Sequence, residues 1–123
     1  MPKILIIDDE RFIRASLREI LEYEKFEVTE AQDGEDGLAK LKEEEYDLVL
    51  CDIKMPKMDG IEVLDHAKSL EKSPQFIMIS AHGTIETAVE ATKKGAFDFI
   101  PKPPDLNRLL LTVRNALEKK NLV

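Results

Sequence analysis

Cysteine is almost missing from this 123-residue chain; the single Cys51 excludes an internal disulfide and suits a reducing compartment. Long apolar runs are missing too. None exceeds four residues, so no stretch reads as a spanning helix or a signal-peptide core, and no membrane partner is expected. Positive charge is in deficit. A formal net charge of −7 and an isoelectric point near 4.9 argue against a nucleic-acid surface on this domain. The two histidines, His66 and His82, stand alone, and no Cys/His set has zinc spacing. Linkers, repeats and low-complexity tracts are lacking as well. What remains is a 14.0 kDa chain near the usual size of one domain, read as a single domain over residues 1–123. Charged residues make up 35% of it, which indicates a folded chain with a well-solvated exterior. The opening Met-Pro-Lys runs straight into a strand pattern and reads as a mature cytosolic N-terminus, so the expected location is cytoplasmic.

Short apolar runs alternate with helical patterns from end to end, the signature of a parallel sheet crossed by helices. Lys3 to Ile7 is the first strand, its consecutive apolar residues implying burial on both faces. Arg11 to about Glu24 follows as a helix, with Ile13, Leu17, Ile20 and Leu21 on one face. Glu27 to Ala31 is a more polar second strand, expected nearer an edge, and Gly34 to Glu45 a helix with Leu38 and Leu41 inward. The third strand is Asp47 to Cys51. A loop holding Pro56 and Asp59-Gly60 then ends it, and a helix runs to about Leu70 with Val63, Ala67 and Leu70 on one side. Phe76 to Ile79 is the fourth strand. The fourth helix starts at Thr84, shows Ile85, Ala88, Val89 and Thr92, and stops at Gly95. Phe97 to Ile100 is the fifth strand. The last helix begins near Asp105, a good N-cap, and carries Leu106, Leu109, Leu110, Val113 and Leu117. Strict alternation of five strands and five helices predicts a three-layer α/β domain with right-handed crossovers.

Four of these strands deliver a chemically competent residue at the carboxyl end: Asp8-Asp9, Asp52, Ser80 and Lys102. Ligands of open α/β sheets bind in the crevice outside those ends. If the first and third strands are neighbours, three carboxylates converge. Two like charges about 4 Å apart repel by roughly 4 kcal/mol at an effective dielectric near 20, so the cluster holds protons or a cation. Hard oxygen ligands favour Mg²⁺, or Mn²⁺ in its place. Lys102 and Ser80 suit phosphoryl oxygens, whose charge must be met in the transition state. Taken singly, each has a plainer reading: an acid capping the next helix, as Asp9 or Glu10 would, a surface lysine before Pro103-Pro104, a strand-end hydroxyl. Their shared register favours the functional one.

Asp8-Asp9, Asp52 with Met55-Pro56 and Asp59-Gly60, Ser80-Ala81, and Gly95-Ala96 leading to Lys102-Pro103 together form a specific set. With it, the whole chain resembles the receiver domain of bacterial two-component response regulators. The resemblance implies a flavodoxin-like sandwich of strand order 2-1-3-4-5. It also implies that Asp52 accepts a phosphoryl group from a phosphohistidine of a sensor histidine kinase. Asp9 and Asp52 would bind Mg²⁺ directly, Asp8 through water, and the Lys54 carbonyl would complete the protein ligands. Lys102 would contact the phosphoryl group, with a cis bond to Pro103. Ser80 and Phe99 would form the switch, Ser80 moving toward the phosphoryl oxygen and Phe99 rotating inward. Such a domain phosphorylates and slowly dephosphorylates itself without being an enzyme on other substrates.

Ser80-Ala81-His82 with Gly95 to Phe99 looks most like receivers of NtrC-like enhancer-binding transcription activators, which implies a downstream output domain. The chain ends at Val123, so it reads as an excised regulatory domain, the alternative being a stand-alone receiver. Pro104 departs from the bulky apolar residue commoner there. Lys54 and His82 either tune access of the hydrolysing water or are solvated loop residues. Leu111 adds one apolar position beyond the buried face of the last helix; it is either a lone exposed leucine or part of a homodimer contact through the fourth helix, fifth strand and fifth helix. The first helix is the kinase-docking face implied by the family. A Mg²⁺-dependent phosphohydrolase would need an insertion for a substrate cap, and a flavin-binding module a phosphate-cradling loop after the first strand. The chain has neither.

Overall fold

The computed structural model describes residues 1–81 and 84–121, with side chains through Lys119. Its elements are β1 (Lys3–Ile7), α1 (Arg11–Tyr23), β2 (Glu27–Ala31), α2 (Gly34–Glu43), β3 (Leu48–Asp52), α3 (Gly60–Ala67), β4 (Gln75–Ser80), α4 (Ile85–Lys93), β5 (Asp98–Pro101) and α5 (Leu106–Asn121). All strand pairs are parallel and the sheet order is β2-β1-β3-β4-β5, as the resemblance implies. The polar second strand lies at an edge. Several ends fall short of the sequence reading: β3 and β5 begin one residue later, at Leu48 and Asp98, and two helices end early. α2 stops at Glu43 because Glu44 turns extended, and α3 gives way to turns after Ala67. β3 and β4 each reach one residue further, so Asp52 and Ser80 are themselves strand residues.

Period-two alternation divides the central strands between two cores. Ile4, Ile6, Leu48, Leu50, Ile77 and Ile79 pack toward α1 and α5. Leu5, Ile7, Val49, Cys51, Phe76 and Met78 pack toward α2 and α3. Burial on both faces fixes the register, since a one-residue slip would exchange every side chain between layers. It also fixes which residue arrives at each strand end.

Helix termini follow local chemistry. Asp33 and Thr84 accept hydrogen bonds from the N–H groups of Asp36 and Thr87, and Asp59 forms a reciprocal capping box with Glu62. Asp105 accepts from the Arg108 N–H at 2.9 Å, the cap expected of it. Gly95 takes φ +107, a conformation glycine tolerates, and the Ala96 N–H closes onto the Ala91 carbonyl at 2.9 Å. α4 packs differently from the other helices. Its buried residue is Ala91, while Ile85 and Val89 are 85% and 45% exposed. The stripe seen in the sequence therefore faces outward.

Candidate functional site

Four of the five strands, β1, β3, β4 and β5, deliver a polar residue at the carboxyl end of the sheet. The Asp8 N–H continues the ladder onto the Ala31 carbonyl at 3.2 Å, and its Oδ1 accepts the Glu10 N–H at 2.8 Å, which turns the chain into α1. β3 ends on Asp52, paired with Ile79; Ser80, the next residue of β4, pairs with Pro101. The Lys102 N–H donates to the Ser80 carbonyl at 3.1 Å, and the Lys102–Pro103 bond is cis. These contacts bring β1, β3 and the end of β5 together although 92 residues separate Glu10 from Lys102.

The Lys102 ammonium is the centre of the cluster. Its Nζ lies 2.7 Å from Asp8 Oδ2, 3.3 Å from Asp52 Oδ2 and 3.4 Å from Glu10 Oε1. The side chains of Lys102, Asp8 and Asp52 are only 6%, 3% and 4% exposed. Burial penalises the Lys102 charge, but the hydrogen bond to Asp8 and the charges of Asp8 and Asp52 outweigh it and raise its pKa. Asp52 is held less well. Burial, then repulsion from Asp8, push its carboxyl up to about 6, against the opposing pull of Lys102 and the Lys54 backbone. Among the described residues no close hydrogen bond reaches Asp52 Oδ1, a buried oxygen left over in an otherwise engaged set.

Carboxylate oxygens of Asp8, Asp9, Glu10 and Asp52 all lie within 4.8 Å of one another. Among the described residues, four acids face one ammonium. That excess of negative charge, the hard oxygen donors and the unsatisfied Asp52 Oδ1 fit a divalent cation. Asp9 and Glu10 are exposed, so an ion has a route from solvent. Asp9 also borders a cleft of about 230 Å³ with Arg14, Gln32, Asp33, Pro56 and Lys57.

Asp8, Asp9, Asp52 and Lys102 thus meet in one place. Ser80 is buried at the adjoining strand end, 1% exposed. Phe99 stands apart, on edge strand β5, partly buried against the core beneath α2 and α3. The exposed Lys54 faces Asp52 through its backbone. His82 lies outside the described residues. The residue the sequence reading passed over is Glu10, treated only as a helix cap. It is the N-cap of α1, yet its side chain makes no capping hydrogen bond and turns to Lys102 instead. Its place directly after Asp8-Asp9 was the only signal.

A doubly wound α/β domain with an acid cluster over its strand ends defines the CheY-like class of flavodoxin folds. Residues 4–114 match the family described as response regulator receiver domain, and the chain belongs to that family. It is 40% identical over 119 residues to the transcriptional regulatory protein ZraR of Klebsiella oxytoca, covering 97% of this chain and 27% of ZraR. The chain therefore spans about a quarter of that relative, whose remainder is output domains. The CheY-like receiver domain protein of Methanospirillum hungatei JF-1 superposes with a TM-score of 0.92 at 36% identity, over 98% of this chain and 96% of that one. The beryllofluoride-activated NtrC4 receiver domain dimer gives 0.92 at 36% identity, over 98% and 100%. ZraR and its kin place the chain with receivers of NtrC-family transcriptional regulators.

Proposed function

We propose that this chain is the phosphoacceptor switch of a two-component transcriptional regulator, working in the cytoplasm. The observation that carries the proposal is Asp52: buried, repelled by Asp8, with one oxygen on Lys102 and the other without a close hydrogen bond among the described residues. A carboxylate oxygen of Asp52 attacks the phosphorus of a kinase phosphohistidine. The O–P bond forms as the N–P bond breaks and the imidazole leaves. Asp9, Asp52 and the Lys54 carbonyl would hold Mg²⁺, with Asp8 behind them. Bound there, the ion neutralises phosphoryl charge and offsets the repulsion between two anionic reactants. Lys102, already aimed at Asp52, supplies a fixed positive charge to the transferred group.

The new group asks for hydrogen bonds that the carboxylate did not. Ser80, at the adjoining strand end, is placed to give one, and Phe99 follows it inward, which biases a two-state equilibrium. The readout surface is α4, β5 and α5, where Ile85, Val89 and Leu111 are exposed and Arg108 ties α5 to the Phe99 carbonyl at 2.9 Å. A homodimer through this face, or an output domain, would read the shift; the NtrC4 receiver is itself a dimer. The kinase fits the other side. There a groove of about 740 Å³ runs between α1 and α5, lined by Ile20, Tyr23, Leu106 and Leu110 and by the acids Glu19, Glu22 and Glu24, and Phe12 on α1 is 89% exposed.

Acetyl phosphate with Mg²⁺ is expected to add one phosphoryl group, about 80 Da, in a hydroxylamine-labile acyl linkage, and EDTA to prevent it. Intact-mass spectrometry reads both. A protein that stays unlabelled with Mg²⁺, or labels equally in EDTA, refutes the proposal. Asp9→Ala is expected to abolish a Mg²⁺ affinity in the millimolar range; unchanged affinity in an NMR titration would remove Asp9 from the metal site.

A further inference from the structure

We infer that Glu10 is a fourth carboxylate of the cation site, acting on the ion directly rather than through Lys102. The inference rests on the metal-binding reading above and extends it to a residue that reading does not use. Three observations support it. Glu10 offers an oxygen within 4.8 Å of oxygens on Asp8, Asp9 and Asp52. Its side chain leaves its N-cap position unserved; the backbone N–H of Glu10 is instead tied to Asp8, which fixes the base of the side chain over the cluster. In the same cluster, Asp52 Oδ1 is buried with no close hydrogen bond among the described residues, a sign that the pocket is arranged for a further positive group.

In the arrangement seen, Lys102 is the cation of the cluster, shared among Asp8, Asp52 and Glu10. The contacts are unequal. Asp8 holds the ammonium at 2.7 Å, whereas Glu10 touches it at 3.4 Å with a side chain 59% exposed. A long, solvated carboxylate making the weakest contact is the one able to turn from ammonium to ion at little cost. Asp8 and Asp52 are held by burial and stay in place. Glu10 therefore contributes the adjustable charge, and its effect on a divalent ion is twice that on a monovalent one at equal distance.

The test is an amide-shift NMR titration with MgCl₂ at low ionic strength. Glu10→Gln, an exposed isosteric change, is expected to weaken Mg²⁺ binding about fivefold, an effect reduced in high salt. The same ratio is expected when Glu10→Gln is introduced into a Lys102→Met background. Binding within twofold of wild type overturns the inference. So does a loss that vanishes in the Lys102→Met background, because Glu10 would then act only by holding the lysine. A wild-type protein that shows no Mg²⁺ response would instead overturn the underlying site, an outcome distinct from both. Circular dichroism of Glu10→Gln, expected to match wild type, separates lost binding from lost fold.

Discussion

Asp52→Asn is expected to take up no phosphoryl group and, without metal, to unfold at a higher urea concentration than the wild type at pH 7. The first result follows from chemistry. An amide is a poor nucleophile at phosphorus, and Asp52 is the acid beside Lys102 with a buried oxygen that lacks a close hydrogen bond among the described residues. The second follows from the pKa of about 6, against roughly 3.9 for an unfolded aspartate. A carboxyl raised in the folded state favours folding when protonated. Its contribution is thus fully present below the unfolded pKa and disappears as pH climbs through 4 to 6. At pH 7 the native state carries a charge it would rather not hold, at a cost of about 2 to 3 kcal/mol. Asparagine removes that cost but leaves Lys102 with one attraction fewer, so a net gain of about 1 to 2 kcal/mol is expected. The difference should narrow as pH falls from 7 to 4, and shrink when Mg²⁺ stabilises the wild type alone. Equal urea midpoints at pH 7 in EDTA would show that Asp52 is not strained. A labelled Asp52→Asn would move the acceptor to another residue.

Particular residues show what the sequence disclosed. The four-residue runs in β1, β3 and β4 were legible because both their faces are covered, which leaves no polar position to blur them. With those strands placed, the residue following each was placed too. Asp8, Asp9, Asp52 and Lys102 could be named before their distances were known. Strand order was not legible from pattern; it came with the resemblance, because nothing in β3 says that it lies between β1 and β4. α4 marks a second boundary. An apolar stripe at helical spacing identifies a helix but not what its stripe meets, and here Ile85 and Val89 meet solvent. Glu10 marks a third. Whether an acid at an N-cap serves its helix or a distant lysine depends on where β5 ends, and that is a tertiary fact.

Gly60→Ala is expected to cost about 3 kcal/mol or more of stability and to slow phosphoryl uptake without touching any acid. A Cβ on Gly60 would stand 2.3 Å from the Asp52 carbonyl oxygen and 2.9 Å from Ile53 Cα. Both are backbone atoms at the end of β3 and just after it, and they cannot rotate aside as the nearby Met78 Cε can. Either α3 moves out or the end of β3 moves down. The first breaks the Gly60 N–H bond to the Ile53 carbonyl, 2.9 Å, and disturbs the Asp59–Glu62 capping box. The second displaces Asp52 from Lys102, where a shift of about 1 Å is enough to lower a rate about 100-fold. Gly34→Ala provides the contrast. Its new Cβ would meet side-chain atoms of Val63 and Met58 at 3.0 to 3.1 Å, contacts relieved by a shift of a few tenths of an ångström, and helix propensity offsets part of the strain. Urea unfolding should therefore separate the two variants by at least about 2 kcal/mol. Equal stability of Gly60→Ala and Gly34→Ala would mean that α3 does not pack against the end of β3 as closely as the structure places it.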